Sequence, residues 1–332
     1  MGYFMNKIVK ASTLLLIMVV SGLSAAQQSF EERLAQAAAQ VTQRTKQAAE
    51  EMAARIQQSS AQTVNQIKAA LAEEPLNPVP ASGRFLEAIK RAEDAGPSKI
   101  SRKLIEIVPW NPNLLWKDDK KSYVLMVSWI ADVVVDPYYR PFIGQAMVTP
   151  QLAGLYVWAT VVPELKDFVR RSFLPGEDQQ AVHNRLYQYL GLPLSQNPEN
   201  RFFVEFWARP QDIFRPCIDA EVVDSACIPD PNPKELPAGY PPISSFVSSD
   251  APHQKWFESQ KASRYQGSWA MPWTRLGYTY DWAPSAPTYQ GASEFVIKQG
   301  ATIFIQSITP TAQYATTPLP LHYRDRQQAL KP

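Results

Sequence analysis

Apolar residues recur along this chain in two rhythms, and prolines mark where one gives way to the other. Around residues 202–207 the alternation is apolar on both sides: Phe202, Val204 and Phe206 on one face, Phe203 and Trp207 on the other, with Glu205 among the latter. Aromatic and β-branched residues suit a pleated surface, and a strand that is apolar on both faces is usually covered on both. A central strand is predicted here. Pro210 closes it, because proline has no N–H to give a ladder. Residues 122–135, with a bend, and 152–162 carry the same two-sided pattern and predict two more strands. Residues 293–297 and 302–308 read as strands joined around Lys298-Gln299-Gly300, a hairpin.

The helical rhythm appears four times in this part of the chain. Residues 84–95 carry Phe85, Leu86 and Ile89 on their apolar side and stop at Gly96-Pro97. Residues 164–173 direct Leu165, Phe168 and Val169 inward, residues 178–190 end at Gly191, and residues 256–265 form a short helix. From 122 to 207 the order is strand, strand, helix, helix, strand. That order predicts an α+β domain over 84–314, with a mixed or antiparallel sheet and flanking helices. A proline-rich loop covers 229–242, and residues 315–332, polar and proline-bearing, are expected as a disordered tail.

The N-terminal part is built differently. Lys7 and Lys10 precede an apolar stretch from Thr13 to Val20, followed by the small residues Ser24-Ala25-Ala26. This is the layout of a Sec-type signal peptide over 1–26, too short in its apolar run for a comfortable membrane span. Residues 27–72 are rich in Ala, Gln, Glu, Lys and Arg without Gly or Pro, and Ser29 with Glu32 forms a capping box. A long N-terminal α-helix of roughly 65 Å is predicted. Leu34, Val41 and Ala48 fall seven apart, a thin coiled-coil seam and a route to a homo-oligomer. Pro75, Pro78 and Pro80 then mark a linker over 73–83.

Charge narrows the partners. The 33 basic residues, less Lys7 and Lys10, leave 31 against 31 acidic ones, and this neutral balance argues against nucleic acid. The two cysteines, Cys217 and Cys227, would close a short disulfide loop in an oxidising compartment, worth roughly 2–3 kcal/mol. Two thiols without a neighbouring histidine are too few for a structural zinc site. Asp219, Glu221 and Asp224 inside that loop are the residues a Ca²⁺ site would use. Their spacing matches no EF-hand, and they read instead as a solvated loop whose acids pair with Arg209 and Arg215 at the surface.

Candidate chemistry collects near the C-terminal end. Trp273, Tyr278, Tyr280 and Trp282 crowd a short stretch with Arg275 and Asp281, and Glu294 lies nearby in sequence. Aromatic-rich loops of this kind usually pack on the core; as a binding platform, the aromatic faces could instead stack on a sugar ring, and Arg275 could grip a carboxylate. The composition leads to an exported, periplasmic or secreted, non-enzymatic binding protein without a cofactor. Its partner would be an envelope or extracellular protein, a peptide or a glycan, and no integral membrane domain remains once the signal is cleaved. The alternative is a carboxylate-dependent hydrolase of a cell-envelope glycan, which needs two carboxyls facing one pocket.

Overall fold

The computed structural model describes residues 83–151, 155–173, 177–194, 201–228, 251–267 and 270–319. The signal peptide, the long helix and residues 73–82 of the linker lie outside the described residues, as does the proline-rich loop. Among the described residues no helix is long and apolar enough to cross a membrane.

The fold is α+β. Its helices are α1 (Gly83–Glu93), α2 (Asp132–Tyr138), α3 (Val162–Ser172), α4 (Gln179–Tyr189), α5 (Ala251–Arg264) and α6 (Thr311–Tyr314). Its strands are β1 (Val124–Ala131), β2 (Ala146–Val148), β3 (Val157–Val161), β4 (Arg201–Ala208), β5 (Ile213–Phe214), β6 (Tyr278–Tyr280), β7 (Gln290–Ser293), β8 (Phe295–Ile297) and β9 (Thr302–Pro310). Seven strands form one sheet in the order β2-β9-β4-β1-β3-β8-β5, and β6 pairs with β7 separately. The strand pairs of both sheets are antiparallel.

β4 holds the interior position that its two-sided pattern predicts. It runs against β1 from Val124↔Ala208 to Ala131↔Arg201 and against β9 on its other edge. Val204 and Phe206 enter one apolar cluster with Val124, Met126 and Ile303. Phe203 and Trp207 enter another, with Leu165 and Val169 of α3 and Leu186 of α4. The first cluster lies under one face of the sheet, and helices cover the other.

Three expectations need correction. Residues 122–135 are not one strand: the chain leaves β1 at Ala131 and continues as α2. The β-branched run Val133-Val134-Val135 favours a strand by propensity, yet Val135, Tyr138 and Tyr139 bury themselves in the first cluster at helical spacing. Tertiary packing overrides propensity here. On α1 the buried residues are Phe85, Ala88, Ile89 and Ala92, a helical stripe, and Leu86 is exposed.

The third correction concerns the hairpin. β8 pairs with β3 and β5, whereas β9 pairs with β2 and β4, so the two strands are not partners. Four strand spacings separate them, about 19 Å across a flat sheet. The connection from Ile297 to Thr302 reaches about 17 Å when fully extended, and it contains a turn in which Ala301 N–H donates to Lys298 O (3.3 Å). The sheet must therefore curl, bringing its distant strands towards one another. Thr149, just past β2, ties this corner: its Oγ1 donates to Lys298 O (2.6 Å) and its N–H to Ala301 O (2.9 Å). Phe295 and Ile297 of β8 thus share a cluster with Met147 of β2 and Ile303 of β9. At the C-terminal end, packing continues to Leu319, which is buried in the second cluster beside Tyr314.

Candidate functional site

The curl leaves the outward side of β3 facing the end of α5 and the segment that follows it. Val157 and Ala159 point into the first cluster. Trp158, between them, points the other way and meets Trp256 of α5 (centroids 6.1 Å apart) and Trp273 (6.4 Å, near-perpendicular). Arg264, in the last turn of α5, lies over the Trp158 ring with Cζ 5.0 Å from its centroid. Gln260, one turn back, holds that guanidinium by accepting from Nε (3.1 Å) and Nη2 (2.8 Å). The chain then folds under α5: Met271 N–H donates to Arg264 O (2.7 Å), and Tyr265 OH donates to Trp273 O (2.6 Å).

Of these groups, Trp158, Arg264, Met271 and Trp273 line a cavity of about 250 Å³. Its walls are largely apolar or aromatic, including Trp158, Trp273, Tyr280, Met271 and the Leu190–Leu192 turn after α4. Glu294, between β7 and β8, and Arg264 are its charged lining residues. Burial pushes the Glu294 carboxyl up to about 7, with Arg264 opposing the shift, and burial likewise lowers Arg264, with Glu294 opposing. Two buried polar atoms of lining residues have no hydrogen-bond partner among the described residues: Glu294 Oε2, an acceptor when ionised, and Trp273 Nε1, a donor. A buried polar atom left unpaired costs on the order of 1–3 kcal/mol. A pair of opposite type on one cavity calls for a complementary group.

A second buried carboxyl is committed to hydrogen bonds with two residues of this wall, Ser293 and Thr160. Glu164 of α3 accepts from Ser293 N–H (3.0 Å), Ser293 Oγ (3.0 Å) and Thr160 Oγ1 (3.0 Å), and burial pushes its carboxyl up against those hydrogen bonds. It locks β7 to α3 and is not among the residues lining the cavity.

Of the residues singled out from sequence, Trp273, Tyr280 and Glu294 come together at this cavity. The others do not. Tyr278 packs on the disulfide with Leu104 and Leu276, its OH donating to Lys99 O (2.8 Å). Trp282 packs edge-on against Phe85 of α1 (5.4 Å) and donates Nε1–H to Leu192 O (3.1 Å). Asp281 takes a two-pronged ion pair from Arg185 (3.0 and 2.7 Å). Arg275 adopts a left-handed backbone (φ 58°) and donates to Glu93 O. All four aromatic side chains are buried, as expected of an aromatic-rich loop that packs on the core, and they form no exposed stacking platform. Sequence reasoning missed Trp158 and Arg264. Only the mixed-face character of residues 152–162 hinted at Trp158, and nothing local marks Arg264.

The cysteine loop forms as predicted. Cys217 and Cys227 are bonded, with Cα atoms 6.2 Å apart. The surface ion pairs expected there are only partly right. Arg209 does pair with Asp212 near the surface (2.6 Å). Arg215, however, is fully buried, with its guanidinium 5.1 Å from the Phe295 ring and donating to Ile105 O (2.9 Å) and Asp224 O. The carboxyls of Asp219, Glu221 and Asp224 surround it electrostatically. They also brace their own loop: Ile228, Val223 and Ala226 N–H donate to Asp219, Glu221 and Asp224 (3.3, 2.6 and 3.0 Å). Cys217, Asp219 and Cys227 lie close enough together for one ion, but both sulfurs are engaged in the disulfide.

Burial, reinforced by Asp224, pushes the Asp219 carboxyl up to about 8. The folded chain then keeps a proton that the unfolded chain, with a carboxyl near 3.9, releases. Stability from this group is complete below about pH 4 and is lost as pH rises through about 8. Asp219→Asn keeps an acceptor for Ile228 N–H and does not titrate. Its stability advantage over the wild type should grow by up to about 1.4 kcal/mol per pH unit between pH 5 and 8, read from urea midpoints at each pH. A difference that stays flat with pH would contradict this assignment.

Comparison with known proteins finds no matching family model, no similar curated protein and no similar solved structure.

Proposed function

We propose that this chain is an exported binding protein, not an enzyme, and that its ligand inserts a small group into the cavity between Trp158, Trp273 and Glu294. The observation that carries this reading is the pair of buried, unpartnered atoms, Glu294 Oε2 and Trp273 Nε1, on residues that line one aromatic cavity. Pockets of this kind, mostly apolar with a few placed polar groups, are the ordinary form of a small-ligand site. Export is supported by the Cys217–Cys227 bond and by the signal-like residues 1–26.

One observation favours the hydrolytic alternative: a carboxyl held near 7 suits a general acid. The second carboxyl that such chemistry requires is not found among the described residues of the lining, since Glu164 is bound to Ser293 and Thr160. Binding is therefore the better-supported reading.

A thermal-shift series on the chain from residue 27 tests it, using N-acetylglucosamine, a short peptide, indole, tetramethylammonium and benzoate under oxidising conditions. A probe at a hundred times its Kd should add about 2.7 kcal/mol, several degrees for a domain of this size. The shift should fall by about half or more in Trp273→Ala and in Glu294→Ala. A shift left unchanged by both substitutions would place the site elsewhere.

A further inference from the structure

The cavity's charges and dimensions narrow what it can hold. Arg264 already supplies a cation over the Trp158 ring, so a cationic ligand would meet like charge on the aromatic wall that would otherwise attract it. Glu294 on the same lining repels an anion. A neutral ligand is left, and it must satisfy both an acceptor, Glu294 Oε2, and a donor, Trp273 Nε1–H. A purely apolar ring satisfies neither, and a ring with one N–H donor satisfies only Glu294. A sugar hydroxyl both donates and accepts. The C–H faces of a pyranose match the apolar surface that Trp158, Trp273 and Met271 provide. The volume, about 250 Å³, exceeds the roughly 150 Å³ in which a benzene ring is accommodated. That is room for one substituted six-membered ring.

Resting on the binding reading above, we infer that the cavity takes a single neutral sugar residue, a hexose or N-acetylhexosamine unit, whose hydroxyls bridge Glu294 and the Trp273 indole N–H. Trp273 is a wall and a donor, Glu294 is the acceptor, and Arg264 closes the site against cations.

Titration calorimetry and tryptophan fluorescence on the chain from residue 27 decide this, with glucose, N-acetylglucosamine, indole, tetramethylammonium and benzoate as probes. One of the two sugars should bind saturably with one site per chain. Trp273→Phe, which keeps an aromatic wall but removes the N–H, should weaken it by about 5–10-fold, the effect of one neutral hydrogen bond. Glu294→Ala should weaken it at least about tenfold, whereas Glu294→Gln, which retains an acceptor, should recover most of that loss. Binding of indole or tetramethylammonium that depends on Glu294, with no sugar binding, would keep the cavity as a site and overturn the sugar assignment. Sugar binding indifferent to all three substitutions would move the sugar off this cavity and also overturn it. Saturation by none of the five probes would overturn both the assignment and the binding reading on which it rests.

Discussion

Lys166→Met is expected to destabilise the fold by about 3–5 kcal/mol, the cost of leaving one member of a buried ion pair without its partner. Lys166 sits on α3 at 1% exposure, within the apolar layer between helix and sheet. Its Nζ lies 3.5 Å from Glu205 Oε1, donates to Thr317 Oγ1 (2.8 Å) and stands 4.1 Å from the Tyr314 ring centroid. Burial lowers the Lys166 ammonium, and Glu205 opposes that shift. Glu205 in turn accepts from Tyr314 OH (2.9 Å) and Ser307 Oγ (3.1 Å), so β4, β9, α3 and α6 meet at one carboxylate. In the variant, that carboxylate stays buried with its countercharge removed. The double variant Lys166→Met/Glu205→Gln removes both charges and keeps an acceptor for Tyr314 OH. It should recover most of the loss, giving a coupling of about 2–3 kcal/mol in the cycle. Urea midpoints at constant m-value measure each corner. If the double variant is as unstable as the two single losses added together, the pair is not coupled and the buried charges are stabilised by something else.

Gly291→Ala is the second large effect, with a loss of about 3 kcal/mol or more, at or beyond the upper end for overpacking. A Cβ at this position would collide with Thr279 Oγ1, with Tyr189 O and with Thr279 O. Two of these are backbone atoms and cannot rotate away. Thr279 Oγ1 is also fixed, because it donates to Tyr189 O (2.7 Å) and accepts from Ala292 N–H (2.9 Å). β6, β7 and the end of α4 are thus pressed together at a point where only a hydrogen fits. Relief of the clash must push them apart, and Thr279 and Tyr280 belong to the cavity wall. The variant should therefore lose cavity binding as well as stability. Gly83→Ala serves as the control: a Cβ there meets nothing within 4 Å, and because Gly83 is the first residue of α1 its effect should stay within about 1 kcal/mol, in the stabilising direction. A Gly291→Ala melting temperature within a degree of wild type would refute the close approach.

Parts of the fold were legible because they depend on neighbours in sequence. β4 could be read from its two apolar faces, and both are in fact covered. α3 could be read from Leu165, Phe168 and Val169, all of which are buried. The end of α4 could be read from Gly191, which does leave the helix at positive φ (67°). In each case the cause acts within one turn of helix or a few residues of strand, the range over which a pattern in the chain can be read.

The failures share the opposite property. The hairpin reading of β8 and β9 was locally sound, since two apolar runs flank a glycine turn. It failed because strand pairing is set by curvature of the whole sheet, which Thr149 fixes from another part of the chain. Nothing beside Lys166 or Arg215 in sequence announces burial; each is enclosed by groups far along the chain, Glu205 and Thr317 for one, Ile105 and Phe295 for the other.

The candidate site divides along the same line. Sequence alone determined the residue types at hand, an aromatic-rich stretch with Glu294 near it, together with the disulfide and the α+β class. Only the tertiary structure decided that Trp273, Tyr280 and Glu294 share a cavity with Trp158 and Arg264, while Tyr278, Trp282, Asp281 and Arg275 serve packing. The physical reason is that an apolar residue lowers its free energy equally well against any apolar surface. Which surface it meets, and which polar atoms are left to face a cavity, depends on how distant elements are brought together.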